Sequence, residues 1–375
     1  MAKFVDADEL KNFVITLKKA CDLLQPLVSS FYSAINSVDA SNSSKLKADK
    51  SFFSIADGLV QYMLVNFLLG GNKFAAIVGE EDSNVQILPP AEFYKVDDLV
   101  IPPEFYPLVD STSQSILNLA KDIHPDAFKN CTIFIDPIDG TREFCTALGE
   151  QCSICIGVAD GEGKSIAGIV YRPITQPPTY ALGTLSESGN HYCESQLQSL
   201  PLPVRGLLAS NGSISPFVRE LLAALHCDRV SSGGAGNKML MLLEGKGHCY
   251  IQDRGVSRWD TCAAEAVLKA NGGILAKLST FANSKELESY HYLQSDKNLD
   301  FVDKQASLTP YNASAAAKNK GLAAGAVDLT VEDFNPYSNL CGLFAVGKAD
   351  ANSEALDIFF AAIQTSATVA APAYD

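Results

Sequence analysis

Three short acid-bearing segments carry the chemistry of this chain. The first, Asp136-Pro137-Ile138-Asp139-Gly140-Thr141, follows Thr132-Ile133-Phe134-Ile135, an apolar run that reads as a buried β-strand. Two carboxylates therefore stand just past a strand end, ahead of a turn glycine and a hydroxyl. Pro137 is expected to help end the strand, because it cannot donate to a sheet ladder. Gly140 lets the backbone turn and come close to a ligand. The second segment is Ile77-Val78-Gly79-Glu80-Glu81-Asp82; the third is Arg258-Trp259-Asp260-Thr261, which opens an apolar helix. Acids at two strand ends and at a helix start make an oxygen-donor set of the kind Mg²⁺ takes, alongside retained waters and phosphate oxygens. A turn of solvated acids is the plain alternative for the hexapeptide alone, and the other two segments weigh against it.

These side chains need elements to hold them. Apolar residues from Leu10 to Ile35 repeat at helical spacing, and Pro26 is expected to kink or divide that helix. After a charged link at 45–50, Ser54-Ile55-Ala56-Asp57 leads into a second helix, Gly58 to Leu69, closed by Gly70-Gly71. Phe74 to Val78 is strand-like and delivers Glu80. Residues 83–130 read as a proline-rich insertion with a helix-like patch from Ser115 to Asp122. Strands are expected at Ser153–Val158 and Ile166–Tyr171, joined by a turn at 160–163, with further strand pieces from Tyr180 to Leu202.

A second half starts near Pro203. Its pattern predicts a strand at Val204–Ala209, a helix capped by Ser215 with Pro216 at its first position, and a glycine-rich loop at 231–236. Asn237 is a candidate cap for a helix from Lys238 to Leu243. A strand at His248–Gln252, a helix at Thr261–Lys269, a late strand at 344–346 and a final helix at Ser353–Gln364 complete the reading. Residues 280–325 are polar and suit a lid or a loop insertion. Alternating strands and helices give an α/β (α+β) class with layered sheets, in halves 1–202 and 203–375.

The formal net charge of −14 argues against a nucleic-acid partner. It does not argue against a phosphate substrate, because cations held by a carboxylate cluster invert the local field. No apolar run reaches membrane-span length, and no signal-peptide pattern is present. Several of the ten cysteines lie in strand-like or helical apolar runs, which suits small buried hydrophobes in a reducing cytoplasm. The five His residues show no zinc-hydrolase spacing.

Taken in order, the three acidic segments resemble the inositol monophosphatase superfamily of Mg²⁺-dependent, lithium-sensitive phosphatases, over roughly residues 45 to 275. The resemblance implies a layered αβαβα sandwich of the inositol monophosphatase and fructose-1,6-bisphosphatase type. It also implies two or three Mg²⁺ ions, held by Glu80, Asp136, the Ile138 carbonyl, Asp139 and Asp260, with Glu81 orienting a ligand or water. Gly140 and Thr141 amides would face a phosphate oxygen. The Thr141 hydroxyl would pass a proton to an upstream Asp, which is Asp57 or, as the competing candidate, Asp49. Li⁺ would inhibit. A haloacid-dehalogenase-type nucleophile is disfavoured, since it wants acids two positions apart on an extended segment and these are three apart.

Ser232-Gly233-Gly234-Ala235-Gly236-Asn237-Lys238 resembles the family's G-A-G-x-K loop, which brings Gly234, Ala235 and Lys238 to the substrate. Ser210, Asp253 and Arg258 join them, Asp253 as a hydroxyl acceptor and Arg258 beside a distal phosphate. Ser54-Ile55-Ala56-Asp57 and Trp259-Asp260-Thr261-Cys262-Ala263-Ala264 look like the inositol polyphosphate 1-phosphatases. Gly140-Thr141-Arg142-Glu143-Phe144 and Gly236-Asn237-Lys238 look like the 3′(2′),5′-bisphosphate nucleotidases. The latter usually show T/S-R-S-H where this chain has Ala209-Ser210-Asn211-Gly212. The favoured expectation is removal of the 1-phosphate from inositol polyphosphates such as inositol 1,4-bisphosphate, with the nucleotidase activity as alternative. A catalytically dead, metal-binding scaffold is the remote one. The chain is expected to act as a monomer on a small phosphate ester, with no membrane or nucleic-acid partner.

Overall fold

Among the described residues, a six-stranded and a five-stranded β-sheet alternate with three helical layers, and three separate apolar clusters fill the spaces between them. The computed structural model describes residues 5–36, 55–81, 95–96, 99–124, 126–186, 189, 191–200, 205–293 and 337–372. The first sheet has the order β1-β4-β5-β6-β7-β8. Its strands are β1 (Ala76–Gly79), β4 (Thr132–Asp139), β5 (Ser153–Ala159), β6 (Ser165–Arg172), β7 (Thr179–Thr184) and β8 (Tyr192–Gln196). β1 runs parallel to β4 and every other pairing is antiparallel. A small ribbon, β2 (Lys95–Val96) with β3 (Leu99–Val100), stands apart.

The outer face of this sheet is covered by α1 (Ala7–Asn36), by α2 (residues 55–62, continued as a π-helix Met63–Leu68) and by α3 (Tyr106–Leu119). α1 runs through Pro26 as one helix, so of the kink or division expected there, division does not occur. Leu17, Ala20, Leu24, Leu27, Val28 and Phe31 stay buried on both sides of the proline, so packing outweighs the one lost hydrogen bond. α3 begins well before the patch expected at Ser115.

The second sheet has the order β10-β9-β11-β13-β12. Its strands are β9 (Gly206–Ala209), β10 (Asp228–Ser231), β11 (Cys249–Gln252), β12 (Ile274–Lys277) and β13 (Leu343–Val346). Helices α6 (Ala235–Leu243) and α7 (Arg258–Ala270) lie between the two sheets. The far face carries α5 (Pro216–Ala224), α8 (Leu278–Ser284) and α9 (Ser353–Ala367). Ser215 caps α5, accepting from the Val218 amide at 3.1 Å. The architecture is thus a layered αβαβα sandwich. The middle cluster joins both ends of the sequence, since α6 and α7 come from beyond residue 203 yet pack on the first sheet.

The layers approach closely along α7. Gly157 on β5 and Gly168 on β6 leave no room for a side chain: a Cβ on them would lie 2.4 Å from the Ala263 nitrogen and 2.6 Å from the Ala263 Cα. The helix therefore rests directly on the sheet, which brings its N-terminus to the ends of β1 and β4.

Every cysteine is unpaired, and seven of the ten are buried. Among the described residues, no helix is long and apolar enough to cross a membrane.

Candidate active site

Glu80 and Asp136 reach each other through strand register. β1 and β4 are parallel, with Gly79 opposite Ile135, and the Glu80 amide extends the ladder by donating to the Ile135 carbonyl at 3.0 Å. The next residue on each strand is an acid, so the two carboxylates leave the sheet side by side.

Asp139 joins them because β4 does not stop at Pro137. It continues to Asp139, with a register shift against β5 between Asp136 and Asp139. Pro137 is tolerated there because its missing N–H falls in the bulge, past the last residue of β4 that β1 pairs. The bulge also inverts the strand's alternation. Phe134 packs in the cluster between the sheets while Ile133, Ile135 and Ile138 pack in the outer one. Ile138 has changed sides, so Asp139 faces the same way as Asp136 despite the odd spacing.

Asp260 arrives from α7. It completes a capping box with Ser257, accepting the Ser257 amide at 2.6 Å while remaining at the site. Ligand atoms of Asp136, Asp139 and Asp260 all lie within 4.8 Å of one another. Glu80 hydrogen-bonds Asp136 and feels the charge of Asp139 and Glu81.

Burial and crowding dominate the electrostatics. Burial pushes Glu80 up to about 7 against the lowering effect of its hydrogen bond to Asp136, and the charges of Asp139 and Glu81 add to the rise. Asp136 is driven well above the usual carboxylate range by burial and then by Glu80, Asp139 and Asp260; burial and the charges of Asp139 and Glu80 do the same to Asp260. Among the described residues, three buried side-chain polar atoms have no partner, and two of them are carboxylate oxygens here, on Asp57 and Asp136. Buried acids with unused oxygens, only partly offset by the charge of Lys238 near Asp139, fit hard divalent ions.

A stability prediction follows. In the folded, cation-free chain Glu80 keeps a proton that the unfolded chain has released, so its contribution is full below about 4.5 and disappears as pH rises through about 7, and the raised Asp136 and Asp260 act in the same direction. Thermal melts in a chelator should therefore fall from pH 5 to pH 8, and Mg²⁺ at pH 8 should recover the loss. A flat profile would count against a clustered set of acids.

Asp57 lies in the first turns of α2, buried, with Glu81 as its carboxyl neighbour. Burial raises it first, then its hydrogen bond to Glu81 and the charges of Glu81 and Glu80, against the Ile138 amide. Gln61, one turn along α2, locks Glu81 in place by binding both its amide and its carbonyl. Thr141 is exposed at the start of a single-turn helix, α4 (Thr141–Phe144), after Gly140 at φ +100°. No hydrogen bond joins Thr141 to Asp57 among the described residues. Asp49 lies outside them.

The glycine-rich loop meets the acids from the second half. α6 begins at Ala235, and the amides of Ala235 and Gly236 donate to Asp139 Oδ1 and Oδ2 at 2.9 and 2.7 Å. Ser153 Oγ adds a third bond at 3.0 Å. Gly234 has φ +61°, and a Cβ there would lie 2.9 Å from Asp139 Oδ2. Asn237 is not the cap of α6. It sits inside the helix and donates to Ser232 Oγ and the Gly233 carbonyl. Lys238 is buried over the Tyr250 ring, donating to the carbonyls of Gly234 at 2.6 Å and Ser232 at 3.4 Å. Among the described residues these two bonds use two of its three N–H donors.

Ser210 is exposed, in a turn whose next residue, Asn211, donates to Glu143 at 2.7 Å and to Gln151 at 2.8 Å. Asp253 is buried just past β11. Arg258 corrects the sequence reading. It is fully buried and donates to the carbonyls of His291 and Ser338 and to Asn339, so it holds loops and has no face for a phosphate. Asp260, two residues on, reaches the acid cluster, whereas Arg258, the first residue of α7, is turned to the loops at 291 and 338–339.

Sequence reasoning overlooked Gln61, Glu143, Gln151 and Ser153. Each is an ordinary polar residue whose partner lies at least twenty positions away or across a strand pair, and even Glu143, which stands in the Gly140-Thr141-Arg142-Glu143-Phe144 segment, carries nothing locally that shows its partner.

A family model described as the inositol monophosphatase family matches residues 119–332. The 3′(2′),5′-bisphosphate nucleotidase 1 of Rattus norvegicus is 33% identical over 232 residues, covering 60% of this chain and 70% of the relative. That of Homo sapiens is 31% identical over 272 residues, covering 69% and 83%. Among solved structures, an inositol monophosphatase from Zymomonas mobilis aligns over 86% of this chain and 100% of its own at 14% identity, with a TM-score of 0.40. The acids that strand register, a bulge and a helix cap bring together thus lie largely within a matched segment spanning more than half of the sequence, and the chain belongs to the inositol monophosphatase family of phosphatases.

Proposed function

We propose that this protein is a divalent-cation-dependent phosphatase of small bisphosphates, with 3′(2′),5′-bisphosphate nucleotides as the favoured substrates. The observation that carries the cation-dependent chemistry is the meeting of Asp136, Asp139 and Asp260 within 4.8 Å, with Glu80 bonded to Asp136. The donor set favours Mg²⁺. Glu80, Asp136, Asp139, Asp260 and the Ile138 carbonyl would hold it. Bound ions of this kind supply charge neutralisation and an activated water at phosphorus.

The chain's own residues do the rest. Gly140 and Thr141 amides receive a phosphate oxygen. The Thr141 hydroxyl takes a proton from the attacking water as it hands its own to the carboxylate form of Asp57, which burial and the neighbouring Glu81 make a stronger base. Glu81 holds Asp57 in place. The loop at 232–238 meets the remainder of the substrate. Unpaired cysteines suit a reducing, cytoplasmic setting.

The relatives' names support nucleotides over inositol polyphosphates, which the motifs around Asp57 and Asp260 favour. One observation keeps the inositol reading open: Ala209-Ser210-Asn211-Gly212 carries neither the Arg nor the His of the nucleotidase segment. Phosphate release should be compared on phosphoadenosine phosphate, inositol 1,4-bisphosphate, fructose 1,6-bisphosphate and inositol 1-phosphate, with and without Mg²⁺. The expected result is a kcat/KM on phosphoadenosine phosphate at least about tenfold above the others, and none without Mg²⁺. Fastest turnover of inositol 1,4-bisphosphate would install the second reading instead.

Lys238→Ala should cut kcat/KM on the bisphosphates by about 10–100-fold, and on inositol 1-phosphate by clearly less. Equal losses on both would confine Lys238 to holding its own loop.

A further inference from the structure

A buried ion pair remote from the acids grips the glycine-rich loop. Arg172, the last residue of β6, is 4% exposed. Its guanidinium forks onto Glu244 at the end of α6, Nη1 to Oε1 at 3.0 Å and Nη2 to Oε2 at 3.1 Å. The same group reaches the start of α6, with Nε donating to Asn237 Oδ1 at 2.7 Å and Nη2 to the Asn237 carbonyl at 3.2 Å. One side chain of the first sheet therefore holds both ends of a second-half helix. A lysine could pair with Glu244 but could not supply this planar fork.

The grip continues toward the site. Asn237, oriented by Arg172, uses its amide to hold Ser232 Oγ at 2.8 Å and the Gly233 carbonyl at 3.1 Å. Those two residues and Gly234 form the turn from which the Ala235 and Gly236 amides point at Asp139. Ser153 Oγ, from β5, fixes the same carboxylate from the other side.

We propose that Arg172 is a positioning residue. By clamping α6 at Asn237 and Glu244, it sets the 232–236 turn and, through that turn, the orientation of Asp139. The inference rests on the reading of Asp139 as a cation ligand. Partners that orient ligands are typically worth about 10–100-fold in metal affinity.

The test uses the full chain, with Arg172→Lys as variant and two readouts. Amide hydrogen exchange at Ala235 and Gly236 reports the turn, and electron paramagnetic resonance of free Mn²⁺ reports cation binding without any substrate. The expected result in the folded variant is exchange about tenfold faster at both amides and a Mn²⁺ dissociation constant about tenfold higher. A residue that served stability alone would lower the melting temperature and leave both readouts at wild-type values. If either readout stays within about twofold of wild type, the proposal is overturned. Should Arg172→Lys fail to fold, the pair Arg172→Met with Glu244→Leu removes both buried charges together, a change such sites often tolerate, and is judged by the same readouts. A wild-type chain that takes no Mn²⁺ would sink the cation-dependent reading itself, and the clamp would then stand or fall on amide exchange.

Discussion

Asp136→Asn is expected to abolish phosphate release, by about 10³-fold or more, while making the cation-free protein more stable. The loss follows from removing the acid at the centre of the cluster, the one that Glu80, Asp139 and Asp260 all face. Transition-state stabilisation by bound metal is worth several kcal/mol, and roughly 4 kcal/mol corresponds to that factor. The gain in stability has the same origin. Asp136 is 2% exposed and one of its oxygens has no partner. An amide of the same shape carries no charge to bury and can donate to the neighbouring carboxylates, worth about 1–3 kcal/mol. Melts in a chelator at pH 8 should show the rise, and phosphate release at saturating Mg²⁺ the loss. A variant that keeps a tenth of wild-type turnover would place the reaction elsewhere. A function that costs stability when the site is empty is a common trade in active sites.

The second large effect is expected at Asp57. Asp57→Asn should lower kcat by about 10²–10⁴-fold and leave Mn²⁺ affinity near wild type, because it removes a proton acceptor and no assigned ligand. Burial makes the substitution structurally mild, since the side chain keeps its shape and loses a charge that Glu80 and Glu81 oppose. The informative comparison is kcat against cation affinity in one preparation. Turnover within about tenfold of wild type would show that the Thr141 proton goes elsewhere. Parallel losses in turnover and Mn²⁺ binding would instead make Asp57 a support for Glu81 and Glu80.

The acids of the site were legible because each sits in a local pattern. Glu80 follows an apolar strand, Asp136 follows another, and Asp260 stands where an apolar helix starts. Those patterns survive folding because hydrogen bonding within a strand or helix decides them. The reach of β4 was not legible. Pro137 reads as a stop, and only the bulge against β5 lets the strand carry on and turn Asp139 to the side of Asp136. The roles of Arg258 and Asn237 were misread for a related reason. Sequence places a residue on an element, whereas the direction of its side chain depends on what packs around that element. For Arg258 that is a cage of His291, Ser338 and Asn339, contributed by segments more than thirty residues away.

By itself the sequence determined that acids, a turn glycine and a hydroxyl recur in an order suited to cations and phosphate, on a chain rich enough in apolar strands and helices to make layered sheets. Short-range geometry, the periods of strand and helix and the demands of caps and turns, carries that much. Tertiary structure alone decided which of these groups meet. Parallel register joined Glu80 to Asp136, glycines on β5 and β6 let α7 bring Asp260 down onto the sheet, and a clamp from Arg172 aimed a second-half loop at Asp139. Such contacts are set by close packing between elements distant in the chain, and close packing leaves no trace in the spacing of residues along it.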